Sequence, residues 1–165
     1  MKHRDSLTQE RLKQVLRYIA ETGDFVWIER PSNRINVGDV AGQNHPSGYI
    51  SISIDGVRYL AHRLAWLYVT GSWPAVEIDH LNGKRTDNRW SNLRDVERRV
   101  NAENMRRARV DNSTGLLGVR QMRDRFQANI KAGGRARNLG TYDTPEQAHA
   151  AYLAAKRKLH EGNTL

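Results

Sequence analysis

Two adjacent residues near the middle of the chain, Asp79 and His80, have side chains that could bind a divalent cation and activate water. A carboxylate oxygen is a hard ligand that suits Mg²⁺ or Mn²⁺, and an imidazole accepts a proton near neutral pH. Downstream, Asn92 and Asn101 offer amide oxygens that can either ligate a hard cation or fix the tautomer of a histidine. These four residues are therefore the candidate catalytic and metal-binding residues.

The residues around the pair predict a small motif of strand, loop, strand and helix. Val76 and Ile78 alternate with polar residues, which predicts a strand that ends at the pair. Residues 81–91 are predicted as a loop in which Lys84 and Arg85 meet phosphate. A short strand at 92–94 and a helix at about 96–107, which contains Asn101, complete the motif. Such a unit folds back on itself and can bring the four candidate residues together.

The N-terminal part predicts a helix, a hairpin and a second helix. The pattern SLTQ at 6–9 is typical of a capping box with Ser6 as N-cap, so residues 7–21 are predicted as helical. The alternation at 49–54, followed by Asp55-Gly56, predicts a hairpin over 49–60 with Ser51 and Ser53 facing outward. His62 lies at the start of a helix predicted at 60–69, and we assign it a structural hydrogen bond rather than a catalytic role.

The C-terminal part predicts a basic linker at 105–115 and then a small sheet with one helix. Three strands and a helix that starts at Thr144-Pro145 suggest a three-stranded antiparallel sheet backed by that helix, so the fold class is α+β. Arginine, glutamine and asparagine pair with base edges in the major groove, and lysine and arginine bind phosphate. The candidate DNA-binding residues here are Arg106, Arg107 and Arg109 in the linker and Arg120, Arg123, Arg125, Gln127, Asn129 and Lys131 on the polar face of the sheet.

The charge distribution favours a polyanionic partner. The 165 residues carry a formal charge of +9, and from Arg94 onward there are 15 Lys and Arg against 8 Asp and Glu. The chain has no cysteine, which excludes disulfides and thiolate-bound zinc. We find no signal peptide and no long apolar run, so we expect a cytoplasmic protein, in a bacterial or phage-infected cell, that does not enter membranes.

Several short runs stand out around the candidate residues: HRLAW at 62–66, IDH at 78–80, DNR at 87–89, SNLR at 91–94 and NAEN at 101–104. Together they resemble the phage-borne HNH homing endonucleases. The resemblance implies a ββα-metal site over about 75–104, in which His80 is the general base and Asn92 orients it. It also implies that Asp79 and Asn101 bind one divalent cation, Mg²⁺ or Mn²⁺. Asparagine at the third signature position occurs among nicking enzymes, so nicking and double-strand cutting both stay open.

Three further runs lie in the C-terminal part: GVR at 118–120, LGTYDT at 139–144 and EQA at 146–148. With them this part resembles the AP2 DNA-binding domain. The two resemblances imply a nuclease domain at 1–104, a linker at 105–115 and an AP2-like domain at 116–162. We therefore predict a site-specific homing endonuclease that binds double-stranded DNA as a monomer without an obligate protein partner. The alternatives are a DNA-binding regulator without catalysis and an HNH nuclease of low specificity. We also expect loss of the residues after Asn112 to cost DNA affinity more than chemistry.

Overall fold

The computed structural model describes residues 7–109 and 111–164, and the chain divides into two compact units, Met1–Glu97 and Arg98–Leu165. This division lies at 97/98, whereas the boundary predicted between the nuclease domain and the linker lies at 104/105. The predicted segments 1–104, 105–115 and 116–162 stay predictions. The small antiparallel sheets and short helices of both units agree with the predicted α+β class. In the described part of the chain, no helix is long and apolar enough to cross a membrane.

The first unit contains two α-helices, eight strands and one 3₁₀ turn among its described residues. In chain order these elements are α1 (Gln9–Val15), β1 (Leu16–Ile19), β2 (Asp24–Trp27), β3 (Val40–Ala41), β4 (Gln43–Asn44), β5 (Ile50–Ile54), β6 (Val57–Leu60), α2 (Ala61–Thr70), β7 (Glu77–His80), the 3₁₀ turn (Trp90–Asn92) and β8 (Leu93–Val96).

The N-terminal helix is shorter than predicted. Thr8 is its N-cap, since the Thr8 side chain accepts a hydrogen bond from the backbone N–H of Arg11 at 3.2 Å. The predicted N-cap Ser6 lies outside the described residues. The helix ends at Val15, and the prediction of helix up to 21 is wrong because Leu16 and Tyr18 are buried on either side of exposed Arg17. This alternation suits strand β1, which pairs antiparallel with β2.

The predicted hairpin is confirmed as β5 and β6. Ile54 pairs with Val57 across Asp55 and Gly56, which both have positive φ angles, as a tight hairpin turn requires. Ser51, however, is buried rather than outward-facing, and it lies where β5 pairs with both β4 and β6.

The core of the first unit joins the N-terminal elements to the strand that carries the candidate pair. Leu12, Leu16, Phe25 and Leu64 are among its most buried members, and Ile78 of β7 belongs to the same cluster. Strand β7 is therefore anchored in the core one residue before Asp79, and β8 pairs with it in antiparallel fashion.

The second unit contains α3 (Arg98–Glu103), β9 (Val119–Met122), β10 (Arg125–Ala132), β11 (Arg135–Tyr142) and α4 (Pro145–Leu159). The strands form one antiparallel sheet in the order β11, β10, β9. Thr144 caps α4, and Ala148 of that helix packs with Val119 and Ala128 of the sheet. Helix α3 is shorter than the helix predicted at 96–107. The likeness of this unit to an AP2 domain stays a prediction.

Candidate active site

Asp79 and His80 form the C-terminal end of β7, as the alternation around Ile78 predicts. Both side chains are almost fully buried, with only 4% of each residue exposed. Buried polar groups are costly unless they have partners, so the contacts of these two side chains define the local chemistry.

The Asp79 carboxylate forms an ion pair with Arg94, its cross-strand neighbour on β8. Arg94 donates two hydrogen bonds to Asp79 Oδ2, from Nε at 2.9 Å and from Nη2 at 2.7 Å. A two-bond arginine contact fixes the direction of a carboxylate better than a single bond. Arg94 was not among the predicted site residues, because its position opposite Asp79 depends on the strand register.

The His80 ring is held by Asn88. His80 Nε2 lies 3.2 Å from Asn88 Oδ1, and Asn88 is 3% exposed. An amide oxygen only accepts, so we assign the ring proton to Nε2, which leaves the lone pair on Nδ1. Burial lowers the pKa of His80 below its usual 6.5, although the Asn88 hydrogen bond acts in the opposite direction. The ring is therefore mainly neutral at pH 7 and able to accept a proton.

Asn92 does not make the predicted contact with His80. Its Oδ1 accepts from the backbone N–H of Asn82 at 2.9 Å, while its Nδ2 donates to Asn82 Oδ1 at 3.1 Å and to the Asp87 carbonyl at 2.7 Å. The 3₁₀ turn Trp90–Asn92 directs this side chain into the loop after β7, where it ties the two ends of the loop together. The orienting contact that we predicted for Asn92 belongs to Asn88, which sequence analysis treated only as a turn former.

Asp87 stabilises the same loop. It accepts from Asn82 Nδ2 at 2.6 Å and forms an ion pair with Arg89 at 2.6 Å. The Arg89 guanidinium is the main reason that the pKa of Asp87 is lowered to about 2, and the Asn82 hydrogen bond contributes. The Asp87 carboxylate is therefore ionised at every physiological pH. Its contacts with Asn82 and Arg89 stabilise the loop that contains Asn88.

The two basic residues predicted to meet phosphate are placed differently. Lys84 is exposed in the turn, and its backbone N–H donates to Asn82 Oδ1. Arg85 Nη1 donates to the Ser47 carbonyl at 2.8 Å, and its guanidinium lies 5.1 Å from the centroid of the Tyr49 ring. Arg85 is thus held in place by contacts within the protein, whereas the Lys84 side chain extends into solvent.

His62 lies beside His80 although we set it aside as structural. Their ring centroids are 5.1 Å apart in a T-shaped contact, and the Tyr49 ring lies 4.7 Å from His62. Within the described residues, His62 Nδ1 is buried without a hydrogen-bond partner, so the structural hydrogen bond that we predicted for it is not found. Burial lowers the pKa of His62 to about 3. The His62 ring is therefore uncharged at neutral pH and packs against the His80 ring.

Asn101 lies in α3, in the second unit, so its role as a metal ligand stays a prediction. Of the linker arginines, Arg106 donates to Thr164 and Arg109 forms an exposed ion pair with Asp111 at 3.1 Å, while Arg107 is exposed. Their contacts with DNA also stay predictions.

The polar face of the C-terminal sheet is defined by the strand register. Arg120 pairs with Gln127, which pairs in turn with Thr141, and Asn129 pairs with Asn138. The Asn129 amide donates to Gln127 Oε1 at 3.0 Å. Arg125 forms an ion pair with Asp143, Arg123 lies in the β9–β10 turn, and Lys131 is exposed at the far end of β10. Asn138 and Thr141 extend this face beyond the predicted set, because they lie opposite predicted members.

The Asp79 carboxylate suits a hard cation, but few other metal-ligating side chains lie near it. In residues 7–109 and 111–164 there is no group of three or more His, Cys, Asp or Glu side chains that could hold a metal ion. Asp79 contributes carboxylate oxygens, which Mg²⁺ and Mn²⁺ prefer, and its direction is fixed by Arg94. A metal bound here therefore needs further oxygen ligands, such as water and substrate phosphate.

A comparison with protein-family models matches one segment of the chain. Residues 59–103 match a family model described as HNH endonuclease, and this segment contains all four candidate catalytic and metal-binding residues. This segment is thus similar to the HNH endonucleases, which supports a DNA-cleaving hydrolase.

One solved structure that the chain resembles is described as "DNA binding and cleavage by the HNH homing endonuclease I-HmuI". The two sequences are 25% identical, and the TM-score is 0.43. The match covers 55% of this chain and 51% of that one, so it spans about half the length of that protein. A comparison with curated proteins gave no match.

Proposed function

We propose that this protein is a site-specific, homing-type DNA endonuclease that hydrolyses phosphodiester bonds with His80 as the general base. The observation that carries the proposal is the buried, neutral His80 ring, whose Nε2 faces Asn88 and whose Nδ1 therefore carries the lone pair. A general base must be deprotonated at working pH and fixed in one tautomer, and this arrangement meets both needs.

In this proposal His80 Nδ1 takes a proton from the water that attacks the scissile phosphorus. Asn88 fixes the tautomer, and Asn92 keeps the loop closed so that Asn88 stays opposite the ring. Neutral His62 borders His80 without adding a positive charge that would weaken its basicity. Asn92 therefore acts on the base through the loop rather than by direct contact.

Asp79 and Asn101 are the residues that would hold one divalent cation, Mg²⁺ or Mn²⁺. When bound, such a cation offsets the negative charge that develops on the phosphate and on the leaving oxygen. Arg94 keeps the Asp79 carboxylate in a fixed orientation for this task. An asparagine amide is a weaker ligand than a carboxylate, so we expect weak metal affinity until DNA phosphate completes the coordination shell.

The remaining basic residues would bind the substrate. Lys84, which is exposed in the turn after β7, is suited to contact a phosphate near the cleaved bond. The polar face of the C-terminal sheet would provide base recognition, since its Arg120, Gln127 and Asn129 carry the bidentate groups that distinguish guanine and adenine. In this proposal the protein acts on double-stranded DNA as a monomer, by nicking or by cutting both strands.

The test is a cleavage assay on supercoiled plasmid with Mg²⁺ or Mn²⁺. We expect the wild-type protein to nick or linearise the plasmid, EDTA to stop the reaction, and His80→Ala to reduce the rate by about 10²–10⁴-fold. The base assignment fails if His80→Ala cleaves at nearly the wild-type rate. If the wild-type protein binds DNA but cleaves no plasmid, the protein acts as a DNA-binding regulator, and cleavage at many unrelated sites indicates a nuclease of low specificity.

A further inference from the structure

The hairpin of β1 and β2 lies directly against the loop that holds His80. The Tyr18 hydroxyl of β1 donates a buried hydrogen bond of 2.6 Å to the backbone carbonyl of Asn88. The backbone N–H of Trp90 donates to the carbonyl of Ala20 at 3.0 Å. Two hydrogen bonds thus attach this hairpin to the two sides of Arg89.

Gly23 allows this close approach. A Cβ atom at position 23 would lie 2.4 Å from the Asn88 carbonyl carbon and 2.4 Å from the Arg89 nitrogen. Its φ angle of +82° also favours glycine, since residues with a Cβ rarely adopt it. The backbone of the hairpin turn therefore touches the backbone of residues 88 and 89 with no side chain between them.

Asn88 thus has two hydrogen-bond partners, one for its backbone carbonyl and one for its side-chain amide. Its backbone carbonyl accepts from Tyr18, while its side-chain oxygen faces His80 Nε2 at 3.2 Å. Asn88 is 3% exposed, so water cannot easily replace either partner. Any shift of the Asn88 peptide would move the amide that fixes the His80 tautomer.

We propose that Tyr18 is a positioning residue for the general base and that it acts through Asn88. The proposal rests on the proposed function, because it requires His80 to be the base. The Tyr18 hydroxyl anchors the Asn88 peptide, and the Asn88 amide then directs His80 Nε2, so that Nδ1 points in one direction toward the attacking water. The N-terminal hairpin is therefore part of the catalytic apparatus although it contains none of the candidate catalytic or metal-binding residues.

The hydroxyl and the ring of Tyr18 have separable tasks. The ring packs against Phe25 with a centroid distance of 4.9 Å and against Tyr68 at 5.8 Å, so it belongs to the core. Burial raises the pKa of Tyr18, which keeps the hydroxyl protonated as a donor. Tyr18→Phe therefore removes the bond to Asn88 and keeps the ring contacts.

The experiment is a double-mutant cycle measured as single-turnover cleavage of supercoiled plasmid with Mn²⁺. We expect Tyr18→Phe to lower the rate at saturating protein by about tenfold, since a small misplacement of a catalytic group is costly. The protein concentration that gives half the maximal rate should not change. Asn88→Ala keeps the carbonyl that Tyr18 bonds but removes the amide, so Tyr18→Phe should cause no further loss in that background.

Tyr68→Phe is the matched control, since it removes a hydroxyl from the same aromatic cluster without touching Asn88. It should cleave at the wild-type rate, and circular dichroism establishes that every variant is folded at the assay temperature. The proposal is overturned if Tyr18→Phe cleaves like the wild type, or if it causes the same loss in both backgrounds, as a purely structural tyrosine would. His80→Ala is measured in the same series. If it keeps the wild-type rate, the proposed function fails, whatever the cycle shows.

Discussion

At the scale of single residues, the buried imidazole of His62 links the site to stability in acid. Its folded pKa of about 3 is below the usual 6.5, so between these values the unfolded chain binds more protons at this position than the native chain. The stabilising effect of a neutral His62 is complete above pH 6.5 and is lost as the pH falls toward 3. Acid should therefore weaken the first unit.

We predict that the free energy of unfolding of the first unit drops by up to about 2 kcal/mol more between pH 7 and pH 5 in the wild type than in His62→Gln. Glutamine cannot take up the proton, so position 62 no longer contributes to the pH dependence of the free energy of unfolding. Urea unfolding followed by tryptophan fluorescence measures the effect, because all four tryptophans lie in the first unit. Equal pH dependence in both proteins would show that His62 does not titrate in this way.

Some residues of the candidate site could be predicted from the sequence, and others could not. Asp79 and His80 were identified because their residue types and the preceding alternation are visible in the sequence. Asn88 was missed because an asparagine in a turn looks the same whether its amide is exposed or faces a buried histidine. Arg94 was missed because it acts on Asp79 across two strands, and the register of that pair is a tertiary property.

At the scale of elements, α3 is fastened to the C-terminal end of the chain within the second unit. The buried Lys156 of α4 donates to the carbonyl of Met105, just beyond α3. Glu103 of α3 accepts from the backbone N–H of Gly162 at 3.2 Å, and Arg99 forms an ion pair with Glu161 at 3.1 Å. The helix that carries Asn101 therefore depends on residues near 160 for its place.

This dependence changes our expectation for a truncated protein. Loss of the residues after Asn112 would remove Lys156 and Gly162, which contact α3 and the residues that follow it. Since such a deletion would also disturb the helix of Asn101, it cannot separate DNA affinity from chemistry. Point variants on the polar face of the sheet are the appropriate test of DNA recognition.

We predict that Gly162→Ala destabilises the second unit by about 1–3 kcal/mol through overpacking. A Cβ atom there would lie 2.0 Å from the backbone carbonyl oxygen of Val100, and backbone atoms do not give way easily. Hydrogen exchange followed by mass spectrometry should show faster exchange in peptides that contain α3 and α4. Gly134→Ala is the control, because no heavy atom lies within 4 Å of that Cβ and only the cost of its positive φ applies. Equal exchange in Gly162→Ala and the wild type would contradict the prediction.

Helices and strands could be predicted from the sequence where neighbouring residues, such as those of a turn or a helix cap, determine them. The β5–β6 hairpin follows from strict alternation around Asp55-Gly56, and α4 follows from the Thr144-Pro145 cap. The N-terminal helix was overextended because Leu12, Val15, Leu16 and Ile19 fit a helical period. The chain takes a strand from Leu16 onward because β2 pairs with it, and this long-range choice overrides the local pattern.

At the scale of the whole molecule, the formal charge of +9 should make DNA binding depend strongly on salt. Each phosphate contact releases counterions, so the plot of log affinity against log salt concentration should be steep. The charge on the polar face contributes to this slope, whereas charge elsewhere on the second unit contributes less.

We predict that Lys131→Ala reduces the slope by about one, while Lys158→Ala leaves it nearly unchanged. Both variants remove one positive charge, but Lys131 lies on β10 of the sheet and Lys158 on the last turn of α4. Fluorescence anisotropy with a labelled DNA duplex in metal-free buffer measures the slopes. Equal slopes for the two variants would mean that net charge, rather than the polar face, governs binding.

Chemical rescue is the most direct test of whether His80 removes a proton from the attacking water. The measurement is the rate of plasmid cleavage by His80→Gly with increasing concentrations of imidazole, in the presence of Mn²⁺. We predict that imidazole restores part of the lost rate, that the rescue grows with the fraction of neutral imidazole, and that Asn92→Ala shows no such rescue. A rate for His80→Gly that imidazole does not change, or that already equals the wild-type rate, would show that His80 is not the general base.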